Sequence, residues 1–179
     1  MDGLREVHIY VDGSCDENRN VNSETRAGWG ICVVKGDSTS GNGKGEVVVE
    51  LSGKVETSEE KEGYLGAEVG SNNTAELSAM ANALRWILRN SEIESATIRC
   101  DSSYALNIAS GAWRAKANKD LSIRVRALWD EVSGLVRLIG EHVSAHRGHR
   151  WNERADHLAF RAMRGEVPLP LQFWKPGQR

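Results

Sequence analysis

The chain has 179 residues, 40% of them apolar and 27% charged, with a formal net charge of −2. That is enough chain for one domain with a substantial core, and no apolar run approaches the length of a membrane span. Residues 1–6 carry no secretory apolar region, and three cysteines (Cys15, Cys32 and Cys100) without close spacing point to reduced thiols in a cytoplasmic compartment rather than to a disulfide framework or a zinc site.

Val7, Ile9 and Val11 alternate with more polar positions, the period of a strand with one buried face. That strand ends in Asp12-Gly13-Ser14. Asp-Gly pairs often open a turn, whereas a carboxylate inside a buried strand requires compensation of its charge. Residues 15–26 read as a polar loop, 27–34 as a second strand, 35–45 as a Gly/Ser-rich turn and 46–53 as a third strand. Three strands with short connections predict an antiparallel meander. Residues 56–70 are charged and read as a surface loop.

The period then changes. Leu77, Met80, Ala81, Leu84, Ile87 and Leu88 recur at helical spacing, with Asn73 or Thr74 as N-cap. Residues 96–100 form a short strand ending at Asp101, and Ser102 or Ser103 caps a short helix that Gly111 ends. From an Asn118 cap, a second long helical pattern runs from Leu121 through Ile139, with Gly140 as its stop. Residues 142–145 read as a brief strand, 146–151 as a loop and 152–163 as a last helix. Pro168 and Pro170 keep the final residues out of regular structure. The order βββαβααβα predicts a mixed sheet with helices on its faces, in one domain over 1–164 followed by a tail over 165–179. Leu171, Phe173 and Trp174 of that tail either dock on the domain or meet a partner.

Four acidic positions stand out (Asp12, Glu76, Asp101 and Asp156), and the strand ends and helix starts of such a sheet tend to converge on one crevice. Each also has an ordinary role: Asp12 in a turn, Glu76 near a helix start that favours carboxylates, Asp101 as a cap, Asp156 on a solvated helix face. Brought together, the four would repel one another and raise each other's pKa unless divalent cations neutralised them. Mg²⁺ takes carboxylate, water and phosphate oxygens, so convergence would favour phosphoryl chemistry. Charge alone assigns no nucleic-acid partner. Residues 1–96 carry 9 Lys/Arg against 17 Asp/Glu, and residues 97–179 carry 14 against 8, so the basic half can still supply a local phosphate-facing surface.

Four segments resemble those of type 1 ribonuclease H. They are Tyr10-Val11-Asp12-Gly13-Ser14, Asn72-Asn73-Thr74-Ala75-Glu76-Leu77, Cys100-Asp101-Ser102-Ser103-Tyr104, and His146-Arg147-Gly148-His149 followed by Asn152-Glu153-Arg154-Ala155-Asp156. Each is weak alone, but they occur in family order from residue 7 to about residue 163, and the ordered set is specific. The resemblance implies an α/β ribonuclease H-like fold, with a five-stranded mixed sheet (antiparallel meander plus parallel strands) flanked by helices. It also implies a metal site of Asp12, Glu76, Asp101 and Asp156. Family members cleave the RNA strand of RNA–DNA hybrids to 3′-hydroxyl and 5′-phosphate ends with two Mg²⁺ ions, for which Mn²⁺ can substitute.

By the same resemblance His146 is the loop histidine that assists proton transfer or product release, and His149 serves loop structure. Asn72 and Asn73 match positions that meet the hybrid's minor groove; an Asn side chain can donate to and accept from a 2′-hydroxyl. Gly13, Ser14, Ser71, Ser103, Tyr104 and Asn152 are further substrate-contact candidates. Trp113 either stacks on a sugar or packs in the core.

Some bacterial members carry a long basic, Trp-rich protrusion between the central helices. Here residues 111–119 are short, with Arg114, Lys116 and Lys119 as their charges. The loops at 15–26 and 56–70 look longer than usual. The expected protein is a monomer without membrane contact that takes an RNA–DNA hybrid. A DNA nuclease of the same superfamily and a non-catalytic hybrid-binding domain are the competing readings. The Asn72-Asn73 pair and the histidine loop argue against the first, and the retention of all four acids argues against the second.

Overall fold

Strand β1 (Glu6–Cys15) runs through the middle of a five-stranded sheet in a computed structural model that describes residues 4–36, 43–144 and 149–179. Its neighbours are β2 (Ala27–Lys35), antiparallel, and β4 (Ser95–Cys100), parallel. Strand β3 (Glu46–Lys54) extends the meander beyond β2, and β5 (Arg137–His142) pairs in parallel with β4, giving the order β3-β2-β1-β4-β5. The predicted mixed sheet is therefore the observed one.

Buried on both faces, β1 sends alternate residues into two layers. Val7, Ile9 and Val11 join a core with Leu77, Met80 and Leu84 of α1 (Asn72–Arg89) and with Leu121 and Val125 of α3 (Lys119–Ser133). The short helix α2 (Ser103–Ser110) packs into the same layer through Ala105 and Ile108. On the opposite face, Tyr10 and Cys32 pack with Trp151, Ala155 and Leu158 of α4 (Arg150–Arg164). Beyond the end of that helix, polar groups fill the face: Arg99 Nη1 lies 2.6 Å from His8 Nδ1, and Arg99 Nη2 pairs with Glu141 at 3.6 Å.

Two glycines let α4 lie against the sheet. A Cβ at Gly28 would stand 2.5 Å from the Met163 backbone nitrogen, and one at Gly30 would stand 2.6 Å from that of Ala159. Side chains cannot occupy such space without moving the helix.

Several boundaries differ from the sequence expectations. Asp12-Gly13-Ser14 is not a turn: β1 continues through it, pairing Asp12 with Gly30 and Ser14 with Gly28. The N-cap of α1 is Ser71 rather than Asn73 or Thr74. Its side chain accepts from Thr74 N while the Thr74 hydroxyl accepts from Ser71 N, a reciprocal cap. Helix α3 stops at Ser133, capped by Gly134, instead of reaching Ile139. The Leu135/Val136/Ile139 spacing fits either structure, and parallel pairing with β4 claims residues 137–142 for the last strand. The strand expected over 142–145 therefore sits earlier, and Ala145 itself lies outside the described residues. Ser102 does cap α2, and Gly111 ends it with a left-handed φ of 83°. Asn118 caps α3 by position only, since its side chain makes no cap bond. The 56–70 segment is no mere surface loop, because Leu65 and Ala67 are buried in the main core.

Candidate active site

Parallel register sets the floor of the site. Val11 pairs with Cys100, the last pair between β1 and β4, so Asp12 and Asp101, the next residue on each chain, come side by side just where that pairing ends. Helix α1 brings Glu76 over them. Gly13 makes this approach possible, because a Cβ there would lie 2.5 Å from Glu76 N and 2.7 Å from Ala75. From the other helical layer, α4 brings Asp156. The four carboxylates share one cleft of about 270 Å³ with Gly13, Asn72, Asn73, Ser102 and Arg179.

Asp12 is 4% exposed and Glu76 8%. Burial, foremost, holds the Asp12 carboxyl well above the usual carboxylate range. The charges of Glu76, Asp101 and Asp156 push the same way. Glu76 is raised too, first by burial and then by Asp101. Two acids that resist ionisation beside two further carboxylates form a site built to receive positive charge.

Cys100, which the sequence reading left out of the site, sits beneath it. Its Sγ lies 3.8 Å from Glu76 Oε2 as a thiol donor, and one ligand atom each of Glu76, Cys100 and Asp101 falls within 4.8 Å of the others. Burial and the Glu76 charge raise the Cys100 thiol well above its ordinary range, which leaves the carboxylate oxygens as the readier donors. Carboxylate oxygens without thiolate suit a hard divalent ion such as Mg²⁺. His142, which the sequence reading placed in a strand but not in the site, has its Nε2 3.1 Å from the Asp101 carbonyl oxygen and ties β5 to the site.

The remaining candidates fall at different depths. Asn72 and Asn73 are exposed on the rim of the cleft. Ser103 starts α2, and Tyr104 lines an adjoining hollow with Asn73, Trp113, Arg114 and Lys116. Trp113 is 51% exposed and so belongs to the surface rather than the core. Ser71 is buried and occupied as the α1 cap. Ser14 is buried against Met163, with its Oγ 3.8 Å from the sulfur. Asn152 is 2% exposed, with its Oδ1 lacking a hydrogen-bond partner. His149 is the N-cap residue of α4. His146, Arg147 and Gly148 lie outside the described residues.

A mixed sheet that gathers carboxylates from two adjacent strand ends and from both helical layers defines an α/β domain suited to divalent-ion chemistry on phosphate esters. The RNase H family model matches residues 5–164. A ribonuclease H from Cupriavidus pinatubonensis is 30% identical over 169 residues, which cover 89% of this chain and 97% of that one. A ribonuclease HI from Neisseria meningitidis is 29% identical over 167 residues, covering 87% and 93%. Among solved structures, the RNase H1 of the halophilic archaeon Halobacterium salinarum superposes with a TM-score of 0.63 at 25% identity, covering 89% of this chain and 98% of that one. LC11-RNase H1, solved in complex with an RNA/DNA hybrid, gives a TM-score of 0.61 at 20% identity, covering 89% and 97%. The chain belongs to the RNase H family.

Proposed function

We propose that the chain hydrolyses the RNA strand of RNA–DNA hybrids as an Mg²⁺-dependent endonuclease, with Asp12, Glu76, Asp101 and Asp156 as the metal-holding residues. The observation that carries this reading is the convergence of the four acids, from β1, α1, the residue after β4 and α4, on one cleft. Divalent ions bound there supply water activation and charge stabilisation at the scissile phosphate, the two-metal chemistry of the family.

The protein's own contribution is placement. Asp12 and Asp101 are held by paired strands, Glu76 and Asp156 by helices packed on opposite faces. Asn72 and Asn73 stand on the rim, where amide groups can meet a 2′-hydroxyl. Tyr104, Trp113, Arg114 and Lys116 border the adjoining hollow and extend the surface with stacking and phosphate-pairing groups. In place of a long basic protrusion, the chain offers this short segment. His146 takes the proton-transfer or product-release role, and the fifteen-residue tail follows the catalytic unit.

Competition among labelled substrates tests the reading. Hybrid should be cut in the RNA strand alone, with 3′-hydroxyl ends, while duplex DNA and four-way DNA junctions stay intact. Cleavage of junctions with the hybrid spared would favour a DNA nuclease of the same fold.

A further inference from the structure

The stretch after α4 does not trail away from the domain. It turns through Leu171–Phe173, and the Trp174 ring is buried beneath the Arg154 guanidinium, 5.2 Å from ring centre to Cζ. His157 of α4, fully buried, clasps the segment at two points: Nε2 accepts from Leu169 N at 3.0 Å, and Nδ1 lies 3.2 Å from the Gln178 carbonyl oxygen. Trp174 Nε1 donates to that same carbonyl at 3.0 Å. These anchors fix where the next residue goes.

That residue is Arg179, and its guanidinium lies in the acidic cleft. Nε donates to Asp156 Oδ2 and Nη2 to Asp156 Oδ1, both at 3.1 Å, and Nη2 also reaches Ser14 Oγ at 3.5 Å. Its Cζ stands 4.5 Å above the Phe160 ring. Among the described residues that line the cleft, Arg179 is the one cation. Both oxygens of Asp156 accept from the guanidinium, which takes up one lone pair on each and puts a positive charge where a divalent cation would meet this carboxylate.

We propose that Arg179 is a resident counter-charge of the metal site that competes with divalent cation for Asp156, so that the docked tail sets how much cation is needed to fill the site. The inference rests on the assignment of Asp156 to that site. It gives the tail a function: undocking of residues 169–179 raises metal occupancy, and metal binding releases Arg179. The guanidinium is half exposed, so solvent screening keeps the competition modest. Its removal should tighten binding by about three- to ten-fold rather than by orders of magnitude.

The test is calorimetric titration of MgCl₂ into the full, substrate-free chain, paired with amide hydrogen exchange across residues 169–179. Arg179→Ala should lower the dissociation constant for Mg²⁺ by about three- to ten-fold. Lys175→Ala, which removes a tail cation that does not line the cleft, should leave it unchanged. In the wild type, saturating Mg²⁺ should speed exchange in the tail. Equal or weaker Mg²⁺ binding by Arg179→Ala, an equal effect from Lys175→Ala, or tail exchange indifferent to Mg²⁺ overturns the proposal. Asp12→Asn is the separate control on the site itself. If that variant binds Mg²⁺ as the wild type does, the metal-site reading fails. If it loses binding while Arg179→Ala has no effect, only the competition fails.

Discussion

Asp12 and Glu76 hold their protons more tightly in the fold than in the unfolded chain, because both are buried and face further negative charge. Between the ordinary and the raised pKa, the native state then binds more protons than the unfolded state. Stability in the absence of metal is therefore fullest below the ordinary carboxylate range and declines as pH rises through the raised values. Asp12→Asn removes the principal ionisable group of this set. It should stabilise the metal-free protein near pH 8 and flatten the decline. Urea unfolding in EDTA at several pH values measures both. Gly13→Ala presses a methyl group into Ala75 and Glu76 and should cost about 1–3 kcal/mol in the same experiment. The four acids could be read from the sequence because their segments occur in family order. Cys100 beneath Glu76 and Arg179 on Asp156 could not, since a thiol one residue before Asp101 and an arginine 23 residues after Asp156 acquire meaning only when strands and tail are assembled.

At the level of elements, the meander, α1, α2 and α4 follow from period and capping. The α3–β5 boundary does not, because a short, half-exposed edge strand carries little alternation, and Ile139 is 40% exposed. Its position is decided by pairing with β4, a contact across some forty residues. The tail is a second such case: prolines announce the end of α4, but nothing local announces that Trp174 returns to cover Arg154. His157 holds this element in place as a neutral imidazole. Burial, followed by the Arg154 charge, lowers its pKa below 6.5. A base depressed in the fold contributes stability that is complete above its unfolded pKa and is lost as pH falls below it. Acidification from about pH 7.5 to pH 5 should therefore loosen the tail, seen as lower protection of the Leu169 and Gln178 amides relative to their intrinsic exchange rate at each pH. His157→Ala should show low protection at both pH values.

For the whole molecule, one arrangement explains both fold and site. The strand order puts β1 and β4 side by side in parallel at the centre, and the helices covering the two faces each contribute an acid to the same end. Charge gathered this way destabilises the metal-free protein and favours whatever neutralises it. Millimolar Mg²⁺ should accordingly raise the melting temperature of the wild type, in step with ln(1 + [Mg²⁺]/Kd), and leave that of Asp12→Asn almost unmoved.

The most direct measurement incubates end-labelled RNA–DNA hybrid with wild type and with Asp12→Asn, with and without Mg²⁺, and maps the product ends. Mg²⁺-dependent cuts in the RNA strand with 3′-hydroxyl and 5′-phosphate ends are expected from the wild type, with the rate reduced at least about 100-fold in the variant. Cleavage that persists in EDTA, or an Asp12→Asn protein of full activity, contradicts the assignment of the four carboxylates.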